Sequence, residues 1–304
     1  MQALLPAGRP HLVGAGEVDQ PAPGPGQAAI RVEAFSVNRG ETFLLDDPPP
    51  GWRPGKDIAG RVTAAAADGS GPAVGARVVA HPPSGGWAQY AVVDTGSIAE
   101  LPPEIPAITA AALPLAGLTA LRMLRLAGDV TGRRILLTGA SGGVGHYVVE
   151  LAANAGAEVT AISAGPSRGA RLAELGATAV VGQVADATGP FELVLESVGG
   201  DVFPQALARL APGGTLIWFG QASREPVTLS FFDLLNHQPS ATIRHFSYAD
   251  SPPYGADLAI LVRLVARGLL HPEIGRIADW SDTARTLADL RDRRIRGNAV
   301  LTVN

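Results

Sequence analysis

Cysteine is absent from the 304 residues, which excludes disulfides, a thiolate nucleophile and a cysteine-ligated zinc. No apolar run approaches the ~18–20 residues of a membrane span. A formal charge of −4 and a pI near 5.9 supply no basic field for nucleic acid. The opening MQALLPAGRPHLVG lacks the basic start and long apolar stretch of a secretory signal, so the expected location is the cytoplasm. No internal repeat or heptad run is found, and His11, His237, His245 and His271 show no metal-ligand spacing. What these absences leave is a soluble protein that acts on small molecules.

What is present is apolar sequence in short, punctuated runs. A hydrophobic content of 46% allows sizeable cores, and a chain this long suggests two domains. The 37 glycines and 25 prolines, with abundant Ala and more Arg than Lys, fit a GC-rich bacterial coding bias rather than disorder, because strand-like runs persist throughout.

The central stretch is 135–156, ILLTGASGGVGHYVVELAANAG. Residues 135–137 suit a strand buried on both faces, and Val144, Val148, Leu151, Ala152 and Ala155 recur on one helical face until Gly156. Between strand and helix lies Ala140-Ser141-Gly142-Gly143-Val144-Gly145. In that context Gly142 lets the backbone approach a pyrophosphate, Gly145 lets the helix pack against the strand, and the helix N-terminus offers N–H groups and partial positive charge. Ala140 stands where the first glycine of such a pattern is usual. Dinucleotide binding is the function expected of this turn.

Residues 1 to about 112 read as mostly β, with strands expected at 28–35, 58–64, 77–80 and 87–93 between Gly and Pro clusters, as in a barrel-like domain. Helix signals begin at Pro114 and run through Leu118, Leu121 and Leu124 toward Gly128. From 135 the pattern alternates: strands at 159–162, 179–181, 193–196 and 216–219, helices at 168–175 and 202–210. Such alternation calls for an α/β, doubly wound parallel sheet. A further helix is expected at 256–267 and a last strand at 298–303, which returns to the first domain.

Taken together, several stretches carry a family resemblance: Ser36-Val37-Asn38, Pro54-Gly55-Lys56-Asp57-Ile58-Ala59-Gly60, Gly85-Gly86-Trp87-Ala88-Gln89-Tyr90, 113–120 (LPLAGLTA), 139–145, Glu196-Ser197-Val198-Gly199-Gly200 and 296–301 (RGNAVL). Over nearly its whole length the chain resembles the medium-chain dehydrogenase/reductase superfamily, in its zinc-free quinone oxidoreductase and enoyl reductase branch. The resemblance implies a GroES-like, β-rich catalytic domain at 1–112, completed by 274–304, and a Rossmann domain at 113–273 that binds NAD(P). Relatives are often dimers, so a homodimer is possible. Zinc-containing relatives use a cysteine and a histidine as catalytic ligands and a four-cysteine lobe, which this chain lacks. Arg39-Gly40-Glu41 follows Asn38 where relatives often carry an aromatic or proline and then an aspartate, and the loop 46–52 is short. Asn298, taken as a cofactor contact, stands where lysine is common. These departures concern the substrate pocket rather than the fold.

An NAD-specific domain places an acid at the tip of the second strand, about 20 residues beyond the glycines. Here 159–162 runs into Ser163-Ala164-Gly165-Pro166-Ser167-Arg168, with no carboxylate. Ser163 and Ser167 can donate to phosphate oxygens and Arg168 can pair with a 2′-phosphate, so NADPH is the expected cofactor. The alternative is that Ser167 caps the helix and Arg168 is a solvated first-turn residue.

Hydride transfer needs orientation and exclusion of water rather than a protein nucleophile. The resemblance places Asn38 near nicotinamide and substrate, with Val198, Gly199, Phe219 and Gly220 lining the cofactor beside Ser141, Gly142, Gly143 and Val144. Asn38 could instead cap a turn. Glu196 could contact the ribose or be a buried acid paired with backbone amides. The reduced product needs a proton, and Tyr248 and Tyr254, in an expected lid-like loop FSYADSPPYGADL, are the candidate donors. Arg39 and Glu41 could serve the substrate or pair with each other. His81 could reach the site or make a structural hydrogen bond, and His146 belongs to a first helical turn, where the dipole disfavours the cation. The function expected is NADPH-dependent reduction of a quinone or α,β-unsaturated carbonyl. Alternatives are a tailoring reductase of one biosynthetic intermediate and a non-catalytic, redox-sensing NADPH binder.

Overall fold

The eleven-residue strand Gln27–Val37 is the spine of a seven-stranded sheet, because three strands pair with it. Asn298–Thr302, Ile58–Ala64 and Tyr90–Asp94 all run antiparallel to it. The sheet continues outward through Arg77–Ala80 to Ile98–Glu100 on one side, and through Asn298–Thr302 to Ile274–Asp279 on the other. The computed structural model describes residues 1–8, 11–237, 240–250 and 252–304. Two compact units make up the chain: Met1–Leu118 with Ser251–Asn304, and Thr119–Asp250. Among the described residues no helix is long and apolar enough to cross a membrane.

The core of the first unit gathers Ile30, Phe35, Leu45, Ile58, Val78 and Trp87. Each large apolar side chain buried there contributes roughly 1.5–3 kcal/mol. Phe35 and Trp87 stack with ring centroids 5.5 Å apart, and Trp87 Nε1 donates to the Ser36 carbonyl at 3.0 Å. The expected strand at 87–93 starts only at Tyr90. Gly85-Gly86-Trp87 folds instead against Pro54-Gly55: Gly86 N–H bonds to the Gly55 carbonyl at 3.0 Å and Trp87 N–H to the Pro54 carbonyl at 3.2 Å. Gly55 has φ +113, and a Cβ there would overlap the Gly86 and Trp87 backbone. Close approach is why these two distant motifs need glycine.

The second unit holds six parallel strands in the order Ala179–Val181, Glu158–Ile162, Arg134–Leu137, Phe191–Glu196, Leu210–Trp218, Thr242–His245. Ile135, Leu136, Leu137, Leu193, Val194 and Leu195 have no exposed surface, as expected where helices cover both faces of a parallel sheet. The helices Gly143–Asn154, Pro166–Glu174 and Val202–Leu207 make the crossovers. Strand order reverses between Arg134–Leu137 and Phe191–Glu196, the switch point at whose C-terminal ends ligands bind in such sheets.

Three expected boundaries move for physical reasons. The helix expected from 168 starts at Pro166, whose fixed φ and missing N–H suit the first helical position. The helix expected through 210 stops at Leu207, and the following strand begins at Leu210 rather than 216. Pro212-Gly213-Gly214 lies inside that strand, in the register shift between the Phe191–Leu210 and Leu193–Thr215 pairs, with Gly213 at φ +73. An irregularity of this kind accommodates Pro and Gly without breaking the sheet.

Candidate active site

Strand Arg134–Leu137 delivers the chain into Thr138 and then Gly139, which turns with φ +62. Gly142 is the N-cap of helix Gly143–Asn154, with φ −81 and ψ 176. A Cβ on Gly145 would overlap the Ala140 carbonyl, whereas a Cβ on Gly142 would meet within 4 Å only the Gly139 oxygen, at 3.3 Å. Gly145 therefore seats the helix on the turn. Gly142 leaves a cradle that a side chain would fill, beside first-turn N–H groups that have no partner within the helix.

Arg168, in the first turn of Pro166–Glu174, reaches back so that its Nε donates to Ser141 Oγ at 3.3 Å. The residues read as phosphate ligands are thus joined to the glycine turn. Ser163 is buried, with Oγ 3.5 Å from the Gly165 carbonyl, and Ser167 is exposed. Gly165, not Ser167, is the helix N-cap.

Glu196 closes the neighbouring strand and is fully buried. Its carboxylate accepts from Thr138 Oγ1 at 3.1 Å, Val198 N–H at 2.7 Å and Gly199 N–H at 3.1 Å. Of its two expected readings, the structure places it as the acid that folds the turn after its own strand. Burial raises its pKa, while the amides of Val198 and Gly199 and the Thr138 hydroxyl pull it back. The turn is stitched to the next one by Phe219 N–H to the Glu196 carbonyl at 2.9 Å and Ser223 N–H to the Val198 carbonyl at 2.8 Å. Trp218 Nε1 donates to the Gly220 carbonyl at 2.6 Å. Ser141 to Val144, Ser163, Ser167, Arg168, Val198, Gly199, Phe219 and Gly220 consequently follow the C-terminal ends of adjacent parallel strands.

The first unit assembles a different set. Asn38 ends the central strand and is the N-cap of the short helix Arg39–Leu44. Its backbone N–H donates to Glu41 Oε2 at 3.0 Å and its Nδ2 to Asp57 Oδ2 at 2.6 Å. Arg39 and Glu41 part company: Arg39 Nη2 donates to the Leu290 carbonyl at 3.2 Å, and Glu41 turns inward to accept from Gly55 N–H at 2.9 Å. Burial, helped by the nearby Asp57 charge, pushes Glu41 from 4.5 up to about 8. Asp57 has no exposed surface. Its Oδ2 also accepts from Ser36 Oγ at 2.7 Å, and its Oδ1 accepts from Leu115 N–H at 3.0 Å and lies 3.2 Å from His81 Nδ1.

Asp57 and Glu41 were not singled out as site residues in the sequence. The N-x-x-E spacing of Asn38 and Glu41 is a capping-box signal that could have placed Glu41. Tyr254 is not on a loose loop: it is the N-cap of helix Gly255–Ala266, and its ring meets His81 edge-on at 4.9 Å. Tyr248 belongs to the other unit, in the turn Tyr248–Asp250, and its carbonyl accepts from Arg122 Nη1 at 3.0 Å. Ser251, within the expected lid, lies outside the described residues. Asn298 begins the last strand with its Nδ2 on the Glu273 carbonyl at 3.2 Å. His146 Nδ1 lies 2.8 Å from the Gly142 carbonyl. Among the described residues no three of His, Asp and Glu are grouped as metal ligands.

Comparison with known proteins fits this geometry. Residues 24–103 match the alcohol dehydrogenase GroES-like domain family and residues 143–263 the zinc-binding dehydrogenase family. The chain is 30% identical over 303 residues to the quinone oxidoreductase of Pseudomonas aeruginosa, covering 93% of each. It is 32% identical over 295 residues to the spectinabilin polyketide synthase system protein NorB of Streptomyces orinoci, covering 92% of this chain and 13% of that protein. The fold is shared with Escherichia coli quinone oxidoreductase, solved in complex with NADPH, at a TM-score of 0.88 and 22% identity over 99% of both chains. By these matches and by its two sheets, the chain is a member of the medium-chain dehydrogenase/reductase superfamily, in the quinone oxidoreductase and enoyl reductase branch.

Proposed function

We propose that this protein is an NADPH-dependent oxidoreductase that delivers hydride to a quinone or α,β-unsaturated carbonyl without zinc. The observation that carries the cofactor choice is the Arg168–Ser141 contact at a strand tip with no carboxylate. When bound, NADPH supplies the hydride, and the chain's own residues supply place and charge. First-turn N–H groups from Gly143 and Val144 meet the pyrophosphate across Gly142, and Arg168, Ser163 and Ser167 hold the 2′-phosphate. The Val198-Gly199 and Phe219-Gly220 turns line the cofactor and exclude water. The NADPH complex of a structural relative with the same fold supports this reading.

On the substrate side, the reduced product is an oxyanion that needs a proton. Tyr254 is the proposed donor in preference to Tyr248, because its ring packs on His81, itself hydrogen-bonded to buried Asp57. Asn38, held by Asp57, fixes the end of the central strand beside this group. The test is NADPH oxidation by the purified protein with menadione and with methyl vinyl ketone. Absence of turnover with both would remove the reductase reading. The match to a polyketide synthase protein favours one second reading, a tailoring reductase of one intermediate. It would turn over these generic substrates slowly and an enoyl thioester faster.

A homodimer is part of the proposal. Phe231 and Phe232 are each 70% exposed and Leu235 is 60% exposed, in the helix leading toward the edge strand Thr242–His245, all of whose residues are exposed. An exposed edge with apolar surface invites pairing. Light scattering at the mass of one chain would exclude it.

A further inference from the structure

The cluster around Asp57 contains one group that the reaction as described leaves unused. His81 follows strand Arg77–Ala80 and is only 3% exposed. Its Nδ1 lies 3.2 Å from Asp57 Oδ1. Each Asp57 oxygen also faces a group that can only donate, Asn38 Nδ2 on Oδ2 and the Leu115 backbone N–H on Oδ1. Asp57 is therefore the acceptor, and His81 Nδ1 carries the hydrogen. A carboxylate so placed fixes the imidazole tautomer and stabilises its cation, the arrangement by which an acid orients a histidine for proton transfer.

The ring has one neighbour of complementary chemistry. Tyr254 lies edge-on to His81 with centroids 4.9 Å apart and is half-buried, whereas His81 is almost completely enclosed. Its position is not loose: a Cβ on Gly255 would stand 2.7 Å from the Ile98 carbonyl and 2.8 Å from the Gly96 carbonyl, so the helix start is pressed onto that backbone. His81 is tied to the same segment, its backbone N–H bonding to the Ser97 carbonyl at 3.0 Å. The structure thus brings Asp57, His81 and Tyr254 from three separate parts of the sequence to one place.

We propose that Asp57 and His81 form a proton relay that acts through Tyr254, with His81 the residue that recharges the tyrosine after each turnover. The inference rests on the reductase reading and on Tyr254 as its donor. Hydride adds to the substrate carbon and leaves an oxyanion. The Tyr254 O–H bond breaks and its proton goes to that oxyanion. The tyrosinate takes a proton from the His81 imidazolium, and the neutral imidazole regains one from water. Asp57 stays a carboxylate throughout and balances the His81 charge. The remaining titratable neighbour is Glu41, whose carboxyl burial keeps protonated at neutral pH, so Asp57 is the anion that His81 faces.

The discriminating variant is His81→Asn, because the Asn amide can reproduce the Nδ1 donor to Asp57 but cannot carry a proton. Steady-state rates with NADPH and menadione are measured across pH for the wild type, His81→Asn and Tyr254→Phe, with melting temperatures as a check on folding. Wild-type kcat is expected to follow an ionisation that His81→Asn abolishes, with kcat reduced at least about tenfold and KM for menadione nearly unchanged. Tyr254→Phe should show the same loss, and the double variant no more than either single one, since the two act in series. A folded His81→Asn protein with the wild-type pH profile and rate would overturn the relay and leave the reductase reading standing. If His81→Asn does not fold, full activity in Tyr254→Phe overturns it equally. A wild type inert toward quinone and enone would remove the reductase reading itself, and the relay with it.

Discussion

Arg168 Nε donates to Ser141 Oγ at 3.3 Å, joining the helix after the second strand of the parallel sheet to the glycine turn after the first. The contact places a guanidinium beside the turn proposed to take the pyrophosphate. NADPH should therefore bind at least about tenfold more tightly than NADH, since a charge-assisted phosphate contact is worth ~1.5–3 kcal/mol. Arg168→Ala should remove most of that difference in a fluorescence titration. Retention of the full preference would place 2′-phosphate recognition elsewhere.

Gly142 and Gly145 should respond differently to the same substitution. Gly145→Val drives a side chain into the Ala140 carbonyl and should lower stability by about 1–3 kcal/mol or more. Gly142→Val has room in the folded chain, because its nearest contact is 3.3 Å away and its φ is −81. It should keep the melting temperature and lose NADPH affinity. Unchanged affinity in folded Gly142→Val would reject the cofactor site.

Glu41 makes stability depend on pH in a definite direction. Its ordinary value of 4.5 is pushed up to about 8, so between those values the folded protein holds a proton that the unfolded chain has released. Stability from this group is complete below 4.5 and is lost as pH rises to about 8, by up to about 1.4 kcal/mol per pH unit. Glu41→Gln has no such titration. Urea denaturation at about pH 6 and about pH 8 should show the wild type losing more stability than the variant over that interval. Parallel losses would mean that Glu41 keeps its ordinary ionisation.

Metal removal should leave activity intact. With no cysteine and no grouped His, Asp and Glu ligands among the described residues, prolonged EDTA treatment is expected to change NADPH-dependent turnover by less than about twofold. Activity lost to EDTA and restored by zinc would contradict the zinc-free reading.

Much of the second unit was legible because its determinants are neighbours in sequence. The apolar run at 135–137, the glycine turn and the helical spacing of Val144, Val148 and Leu151 lie within a few turns of chain, and propensity and periodicity act over that range. The strands at 58–64, 77–80 and 179–181 were bounded by Gly and Pro and matched the structure residue for residue. The start of Leu210–Trp218 was missed because Pro212-Gly213-Gly214 signals a turn locally, and only pairing with Phe191–Glu196 holds that stretch extended. The edge strand Thr242–His245 was missed because its residues are all exposed and carry no alternation to read.

The sequence by itself determined the fold class, the glycine turn and the missing acid at the second strand tip, since each is a property of one short segment. Tertiary structure decided what those segments meet. Asp57 is read from sequence as part of a glycine-rich motif, and it becomes the acceptor for Ser36, Asn38, Leu115 and His81 only when four elements converge. Glu41 looked like a partner for Arg39, yet the helix turns it inward, where loss of water rather than any sequence neighbour raises its pKa. Tyr254 looked like a lid residue, and the packing of Gly255 on the Gly96–Ile98 backbone makes it a helix cap against His81. Burial and convergence of distant side chains set these charges and contacts, and neither quantity is a function of local sequence.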